Sequence, residues 1–473
     1  MHTLTVRDGV FIAGTWSQGA GADAIVERSS IDDQPIGQVQ SASEAQVDQA
    51  VAAAAAAFPI WSATSRAERT AKLHEIAEAL EARTDEFAEL ITREVGTTLS
   101  ISKAVQVGLA VRVLRSTADA MDEFSLSEED ENFVVEREPI GVVVAITPWN
   151  FPLHQIVAKL APALAAGCTI VVKPAELTSL SAVALFELIE AVGLPAGTAN
   201  LVCGTGPVVG EALVRHPMVD MVSFTGSTGA GKRIGELAVN DVKKVSLELG
   251  GKSATVLLDD ADLDRAVPSS LSNCYLNSGQ VCSALTRLIV MRSQLPRVEE
   301  LLLKAAERFV PGDPLESSTR LGPLVSAVQR DRVIGYIEVG IAEGARVLVG
   351  GPQRPPGEGY FVTPTVFTDV TGDMRIAQEE IFGPVLVVIP VDSEQEALAA
   401  ANNSAYGLAG AVWSADRERA AAFARKIRTG QVAINGGAFN ARAPFGGYKM
   451  SGNGRELGKY GLEEYFEYKA LVY

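Results

Sequence analysis

Apolar residues along this chain follow two rhythms. In the N-terminal third they recur at helical spacing. "SEAQVDQAVAAAAAAF" (Ser43 to Phe58) is rich in alanine, the best helix former, and predicts a helix. "SRAERTAKLHEIAEALEARTDEFAELITREVG" keeps the helical spacing and closes on a glycine, as helices do. From residue 141 the pattern changes to short, continuous apolar runs. "GVVVAIT" (141–147), "CTIVVK" (168–173), "ANLVCG" (199–204) and "VDMVSFT" (219–225) read as buried strands. "LHQIVAKLAPALAAG" and "SLSAVALFELIEAVG" read as helices between them. Strands alternating with helices predict parallel βαβ units and a doubly wound α/β sheet, which binds ligands beyond the carboxyl ends of its strands.

A second alternating region runs from about Ser253 to about Pro444. It holds strand-like "SATVLLD", "TRLIVM", "ARVLVGG", "FVTPTVF" and "PVLVVIPV", with a helix through "LDRAVPSSLSNCYLN". "NFVVERE" (132–138) and "YFEYKALVY" (465–473) stand apart as isolated β-like pieces, suited to pairing with another subunit.

Composition narrows the function. A chain of 473 residues is long for one core and implies two or three lobes. With 58 Asp+Glu against 41 Lys+Arg the net charge is -17, and no basic stripe is visible, which excludes a nucleic-acid partner and an anionic membrane surface. No signal-peptide pattern and no run of 18 apolar residues occurs, so a cytoplasmic protein is expected. The four cysteines form no CxxC and the four histidines no HxxxH, so no metal site is expected.

Five stretches at strand ends carry polar groups. In "TPWNFP" (147–152), Asn150 is either a turn asparagine bonded to its own backbone or a side-chain donor for an oxyanion. In "KPAE" (173–176), Lys173 and Glu176 are either a solvated pair or a donor and an acceptor for a ribose. "FTGSTGAGK" (224–232) is neither GxGxxG nor a P-loop, yet Ser227 at a helix N-terminus offers donors to a pyrophosphate. In "LELGGKS" (247–253), Glu248 ends an apolar strand, where burial tunes a carboxylate toward base work. In "LNSGQVCSAL" (276–285), Cys282 is either a small buried hydrophobe or a nucleophile.

Together with "EEIFGPV" (379–385) and "PFGGYKMSGNGRELG" (444–458), these stretches occur in the order seen in the NAD(P)-dependent aldehyde dehydrogenase superfamily, which the chain resembles over nearly its whole length. The resemblance implies a Rossmann-type NAD-binding domain (1–120 and 140–250), a second α/β catalytic domain (251–450) and a small β oligomerisation element (121–139 and 458–473). It implies Cys282 as nucleophile, Glu248 as general base, and Asn150 with the Cys282 N–H as oxyanion hole. Lys159 and Glu456 match positions around a proton relay. Lys173, Pro174, Ala175 and Glu176 would meet the adenosine ribose. Ser227 would meet the pyrophosphate, and Phe224, Gly226, Gly231 and Gly206 would be further cofactor-binding positions. Thr147, Pro148, Trp149 and Leu249 would line the cofactor cleft, and Glu380 would hold the nicotinamide ribose beside Phe382.

In that chemistry the thiolate attacks an aldehyde and the thiohemiacetal oxyanion is stabilised by two donors. A hydride leaves to the cofactor, and Glu248 activates the water that releases the acid from the thioester. The CoA-acylating branch lacks this glutamate, so hydrolysis is expected. A carboxylate at Glu176 repels a 2′-phosphate, which favours NAD over NADP. Phe151, Gln155, Ala158, Leu276 and Phe439 fall near the substrate tunnel by family register, with less aromatic bulk at Ala158 and Leu276 than some relatives. Arg442 is either a surface arginine or a partner for a distal substrate carboxylate. Segment 141–290 resembles bacterial relatives acting on long or cyclic-derived ω-oxo acids. The expected partners are a small aldehyde and further copies of the chain, as a homodimer or homotetramer. The alternatives are a CoA-acylating semialdehyde dehydrogenase and a non-catalytic NAD-binding protein; an intact Cys282, Glu248 and Asn150 argue against the latter.

Overall fold

A computed structural model describes residues 6–473; the first five residues of the 1–120 segment lie outside the described residues. One seven-stranded sheet is built from the runs of the first alternating region. Its spatial order is Lys244–Glu248, Met221–Thr225, Val142–Ile146, Thr169–Lys173 and Ala199–Val202, all parallel, followed by antiparallel Val10–Ile12 and Thr15–Ser17. The chain steps outward from Val142–Ile146 to Ala199–Val202, then returns to the other side of Val142–Ile146. The order therefore reverses between Val142–Ile146 and Met221–Thr225, and the segments that leave these two strands are "TPWN" and "FTGSTG". That reversal opens the crevice in which such sheets bind ligands.

Helices cover both faces of this sheet, which is why its strands are apolar throughout. Val142, Val144 and Ile146 join a core with Val47, Ala50 and Ala54 of the helix Glu44–Ser62. Val143 and Ala145 join another with Leu153, Ile156 and Leu160 of the helix Pro152–Ala166. The second sheet has the order Arg346–Val349, Thr365–Thr368, Val385–Val391, Arg287–Met291, Ala254–Leu257, Ala409–Trp413 and Gln431–Ile434. Only its first pair is antiparallel. Glu248 lies at the carboxyl edge of the first sheet, whereas Gly251 and Cys282 precede strands at the amino edge of the second.

Four expectations are corrected. The N-terminal third is not helical from its start: Val10–Ile12, Thr15–Ser17, Ala24–Arg28 and Pro35–Gln40 are strands, the first two too short to show a period of two. The long helical run after residue 65 is two helices, Arg66–Ala82 and Thr84–Val95, parted at Arg83. In "FVTPTVF" the strand starts only at Thr365, because Pro364 has no N–H for a ladder. The two isolated β pieces pair with each other. Phe466–Val472 runs antiparallel to Phe133–Pro139, which also pairs with Ser127–Asp130. No helix among the described residues is long and apolar enough to cross a membrane.

Candidate active site

A cavity of about 150 Å³ sits where the two sheets face each other, with Cys282, Asn150, Gln155 and Thr225 in its wall. Pro148, Trp149, Gly226, Ser227, Leu249, Glu380 and Phe382 complete much of that wall, so most of the residues drawn from five separate motifs meet at one place. Trp149 stands edge-on to Phe382, with ring centroids 5.3 Å apart and planes at 88°.

The turn that carries Cys282 is unusual backbone. Asn277, Ser278 and Gly279 all have left-handed φ, at 50°, 55° and 76°. Two non-glycine residues in that region cost energy, and such strain concentrates at functional sites. At Gly279 a side chain is excluded outright: a Cβ would lie 2.1 Å from the Gly383 carbonyl oxygen, so the cysteine turn and the "EEIFGPV" segment pack backbone to backbone. Cys282 itself is half-buried. Burial pushes its thiol up to about 12, and the nearby carboxylates of Glu380, Glu248 and Glu456 push the same way. At rest the group is a thiol, so its attack requires a base.

Asn150 is buried, and its Nδ2 donates to the Gln280 carbonyl at 3.0 Å. An amide nitrogen has two hydrogens, so one remains for a ligand in the cavity. Glu248 is 2% exposed, and neither carboxylate oxygen has a hydrogen-bond partner. Its pKa is raised well above the ordinary value, first by burial and then by Glu456, with Lys159 opposing. Beside it, Lys159 donates to Thr225 Oγ1 at 2.7 Å and forms a short ion pair with Glu456. Lys159 is fully buried and Glu456 nearly so. A pair this dry holds only because each charge compensates the other.

The cofactor motifs leave strand ends of the first sheet on either side of Val142–Ile146. Lys173 Nζ donates to the Pro174 carbonyl at 2.6 Å and sits 3.6 Å from Glu176. Glu176 Oε1 accepts the Gly206 N–H at 2.6 Å, which ties "KPAE" to the segment after the third parallel strand. Ser227 caps the helix Thr228–Ala238 by accepting from Ala230 N at 3.3 Å, and space beyond Gly229 is open. Glu380 accepts from Gly251 N at 3.0 Å, and burial raises its pKa. The set suits a dinucleotide, with carboxylates at Glu176 and Glu380 as ribose acceptors and the helix N-terminus at Ser227 for a pyrophosphate.

Leu276, Phe439 and Arg442 do not line the Cys282 cavity. Leu276 faces a pocket with Tyr275 and Phe309. Phe439 is 51% exposed in a groove along Gln431–Ile434. Arg442 already has a carboxylate partner, Glu123, at 3.0 Å. Phe151 and Ala158 are buried beside the wall on the segment that carries Gln155. Several contributors lack a sequence signal. Arg332 and Gln329 reach the cavity from the helix Ala327–Ala342, where Arg332 donates to the Glu380 carbonyl at 2.7 Å and Gln329 to that of Phe382 at 2.8 Å. Thr225 was visible only as the threonine of "FTGS".

Comparison with known proteins agrees with this geometry. The family model described as "Aldehyde dehydrogenase family" matches residues 16–471. A 3-succinoylsemialdehyde-pyridine dehydrogenase from Pseudomonas sp is 46% identical over 465 residues, covering 98% of each chain. The solved structure of aldehyde dehydrogenase C from Pseudomonas syringae, a cysteine-to-alanine mutant with NAD+ and octanal, superposes with a TM-score of 0.97 at 46% identity, over 98% of this chain and 96% of that one. A Mycobacterium tuberculosis aldehyde dehydrogenase complexed with NAD+ superposes with a TM-score of 0.97 at 42% identity, over 100% and 99%. With the family model spanning nearly all of the chain and relatives this similar, the protein belongs to the aldehyde dehydrogenase family.

Proposed function

We propose that this enzyme oxidises an aldehyde to the free carboxylic acid with NAD, using Cys282 as nucleophile and Glu248 as the base for hydrolysis. Bound NAD supplies the acceptor for the hydride. The chain's own residues do the rest. The Cys282 sulfur forms a bond to the aldehyde carbon, and the thiol proton leaves to a base. Asn150 Nδ2 and the Cys282 N–H donate to the resulting oxyanion; one such donor is worth about 3 kcal/mol in the transition state. After the hydride is lost, Glu248 takes a proton from water, the hydroxide adds to the thioester, and the carbon–sulfur bond breaks. Lys159 and Glu456 hold the charge beside Glu248 and carry its proton outward. Lys173, Glu176, Ser227 and Glu380 hold the cofactor, with NAD preferred because Glu176 repels a 2′-phosphate.

The observation that carries this reading is Glu248, buried with both carboxylate oxygens unpartnered and near enough to Cys282 for its charge to act on the thiol. The substrate class is an aliphatic or ω-oxo aldehyde. A relative named for a succinoyl semialdehyde and another solved with octanal support it. The sheet formed by Phe466–Val472 and Phe133–Pro139 keeps a free edge, and we assign it to a homodimer or homotetramer contact. The test is NADH formation in CoA-free buffer across straight-chain aldehydes and ω-oxo acids, beside Cys282→Ala. Turnover lost in the variant is expected. Turnover that appears only with CoA would overturn the hydrolytic reading.

A further inference from the structure

Asn150 is held from behind by Gln106, which lies outside every motif, and by Asn277 of the cysteine turn. The Asn150 carbonyl oxygen accepts two hydrogen bonds, from Gln106 Nε2 at 2.9 Å and from Asn277 Nδ2 at 3.0 Å. The second hydrogen of Gln106 Nε2 goes to Thr97 Oγ1 at 3.2 Å, and Thr97 in turn donates to Asn277 Oδ1 at 2.5 Å. Asn277 also donates to the Gln280 carbonyl at 3.3 Å, the oxygen on which the Asn150 amide rests. The bonds close a ring. It links the segment after the helix Thr84–Val95, the "TPWN" loop and the turn that carries Cys282. Gln106 is fully buried and Thr97 is 1% exposed, so water does not compete for these bonds.

The backbone around Gln106 is shaped for the contact. Residues Ser102–Val107 form a π-helix between Leu99–Ile101 and the helix Gly108–Glu123. π-Turns interrupt α-helices rarely and often at functional sites. Asn277 is held at the far end of the ring in left-handed backbone. The left-handed backbone at Asn277 is strain of the kind a fold tolerates where a geometry has to be held.

We propose that Gln106 is a positioning residue for the oxyanion site: it fixes the Asn150 main chain and, through Thr97 and Asn277, locks the "TPWN" loop to the Cys282 turn. The Asn150 amide and the Cys282 N–H then converge on one point without searching for each other. This rests on the proposed role of Asn150 as oxyanion donor, and the test separates the two.

The measurement is the single-turnover rate of NADH formation from octanal with saturating NAD, per titrated Cys282, for wild type, Asn150→Ala, Gln106→Met and Gln106→Glu. Asn150→Ala is expected to fall about a hundredfold. Gln106→Met keeps the length and donates nothing; its rate is expected to fall about tenfold or more, with NAD affinity unchanged within twofold. Gln106→Glu donates only when protonated, so its rate relative to wild type rises as pH falls from 8.5 to 6, while the ratio for Gln106→Met stays flat. A residue that merely fills space would not distinguish these two variants. If Gln106→Met stays within twofold of wild type while Asn150→Ala collapses, the positioning role is overturned. If Asn150→Ala itself stays within twofold, the oxyanion reading fails and the positioning role with it. Should Gln106→Met not fold, Thr97→Val breaks the same ring one bond further on; a rate within twofold of wild type there also overturns the proposal.

Discussion

Glu27 and Glu94 form a buried carboxyl pair far from the chemistry, and they set a testable pH dependence of stability. They are 3% and 1% exposed. Glu27 Oε1 accepts the N–H groups of Ser179 and Leu180, and Glu94 Oε1 accepts that of Ser181, all in the first turn of the helix Ser179–Val192. Burial raises both pKa values, that of Glu27 furthest, because Glu94 repels its charge. Glu27 therefore keeps a proton in the folded state that it loses in the unfolded chain above the ordinary value of 4.5. Unfolding releases that proton, so this contribution is fully present below 4.5 and declines as pH rises. Glu94, pushed up to about 7, behaves the same way, so from pH 4.5 to 7 the pair's contribution falls by up to about 1.4 kcal/mol per pH unit for each proton released on unfolding. Glu27→Gln keeps the acceptor for the helix and supplies a permanent donor toward Glu94. Its advantage over wild type is expected to be absent at pH 4.5 and to grow steadily as pH rises to 7.5. Guanidinium midpoints at fixed protein concentration, from pH 4.5 to 8, measure the difference between variant and wild type. The buried His154, whose pKa is lowered to about 4, titrates alike in both and cancels. A variant that is no more stable than wild type at pH 7.5, or a difference that does not grow with pH, refutes the shared proton.

Removing one partner of the buried Lys159–Glu456 pair strands the other: Lys159→Met costs about 3–5 kcal/mol by chemical denaturation, and the double variant Lys159→Met/Glu456→Leu recovers most of it. Because burial and Glu456 raise the Glu248 pKa, its basic form is lost at higher pH than that of an ordinary carboxylate. Thioester hydrolysis should rise with pH between 6 and 9, and Glu248→Gln should give one burst of NADH followed by a stall; a flat profile in wild type argues against Glu248 as base. Glu176→Gln removes the charge facing the ribose and should lower KM for NADP about tenfold with little change for NAD, read by initial rates; an unchanged preference places cofactor selection elsewhere.

Local pattern was enough to read the strands at 142–146, 169–173 and 221–225, since continuous apolar runs arise only where both faces of a strand are covered. Asn150, Glu248 and Cys282 were legible as candidates, because Glu248 ends an apolar strand and the other two sit in turns marked by prolines or glycine. Period and turn chemistry are properties of a few neighbouring residues, and a sequence displays them directly. Contacts between distant residues are not displayed that way. Lys159 and Glu456 are 297 positions apart, and Glu27 meets Ser179 across 152. Gln106, Thr97 and Asn277 gain their meaning from a ring whose members carry no shared motif. The strand at 466–472 looked solitary because its partner at 133–139 lies far upstream, and 133–139 because its near neighbour, 127–130, is an exposed acidic run with no strand pattern. Which carboxylates lie dry and which meet water depended on packing between elements, and burial, not residue type, moved the pKa values of Glu27, Glu248 and Cys282. The chemistry on offer was determined by the sequence; the placing and charge state of each group were decided by the tertiary fold, through desolvation and hydrogen bonds between residues far apart in the chain.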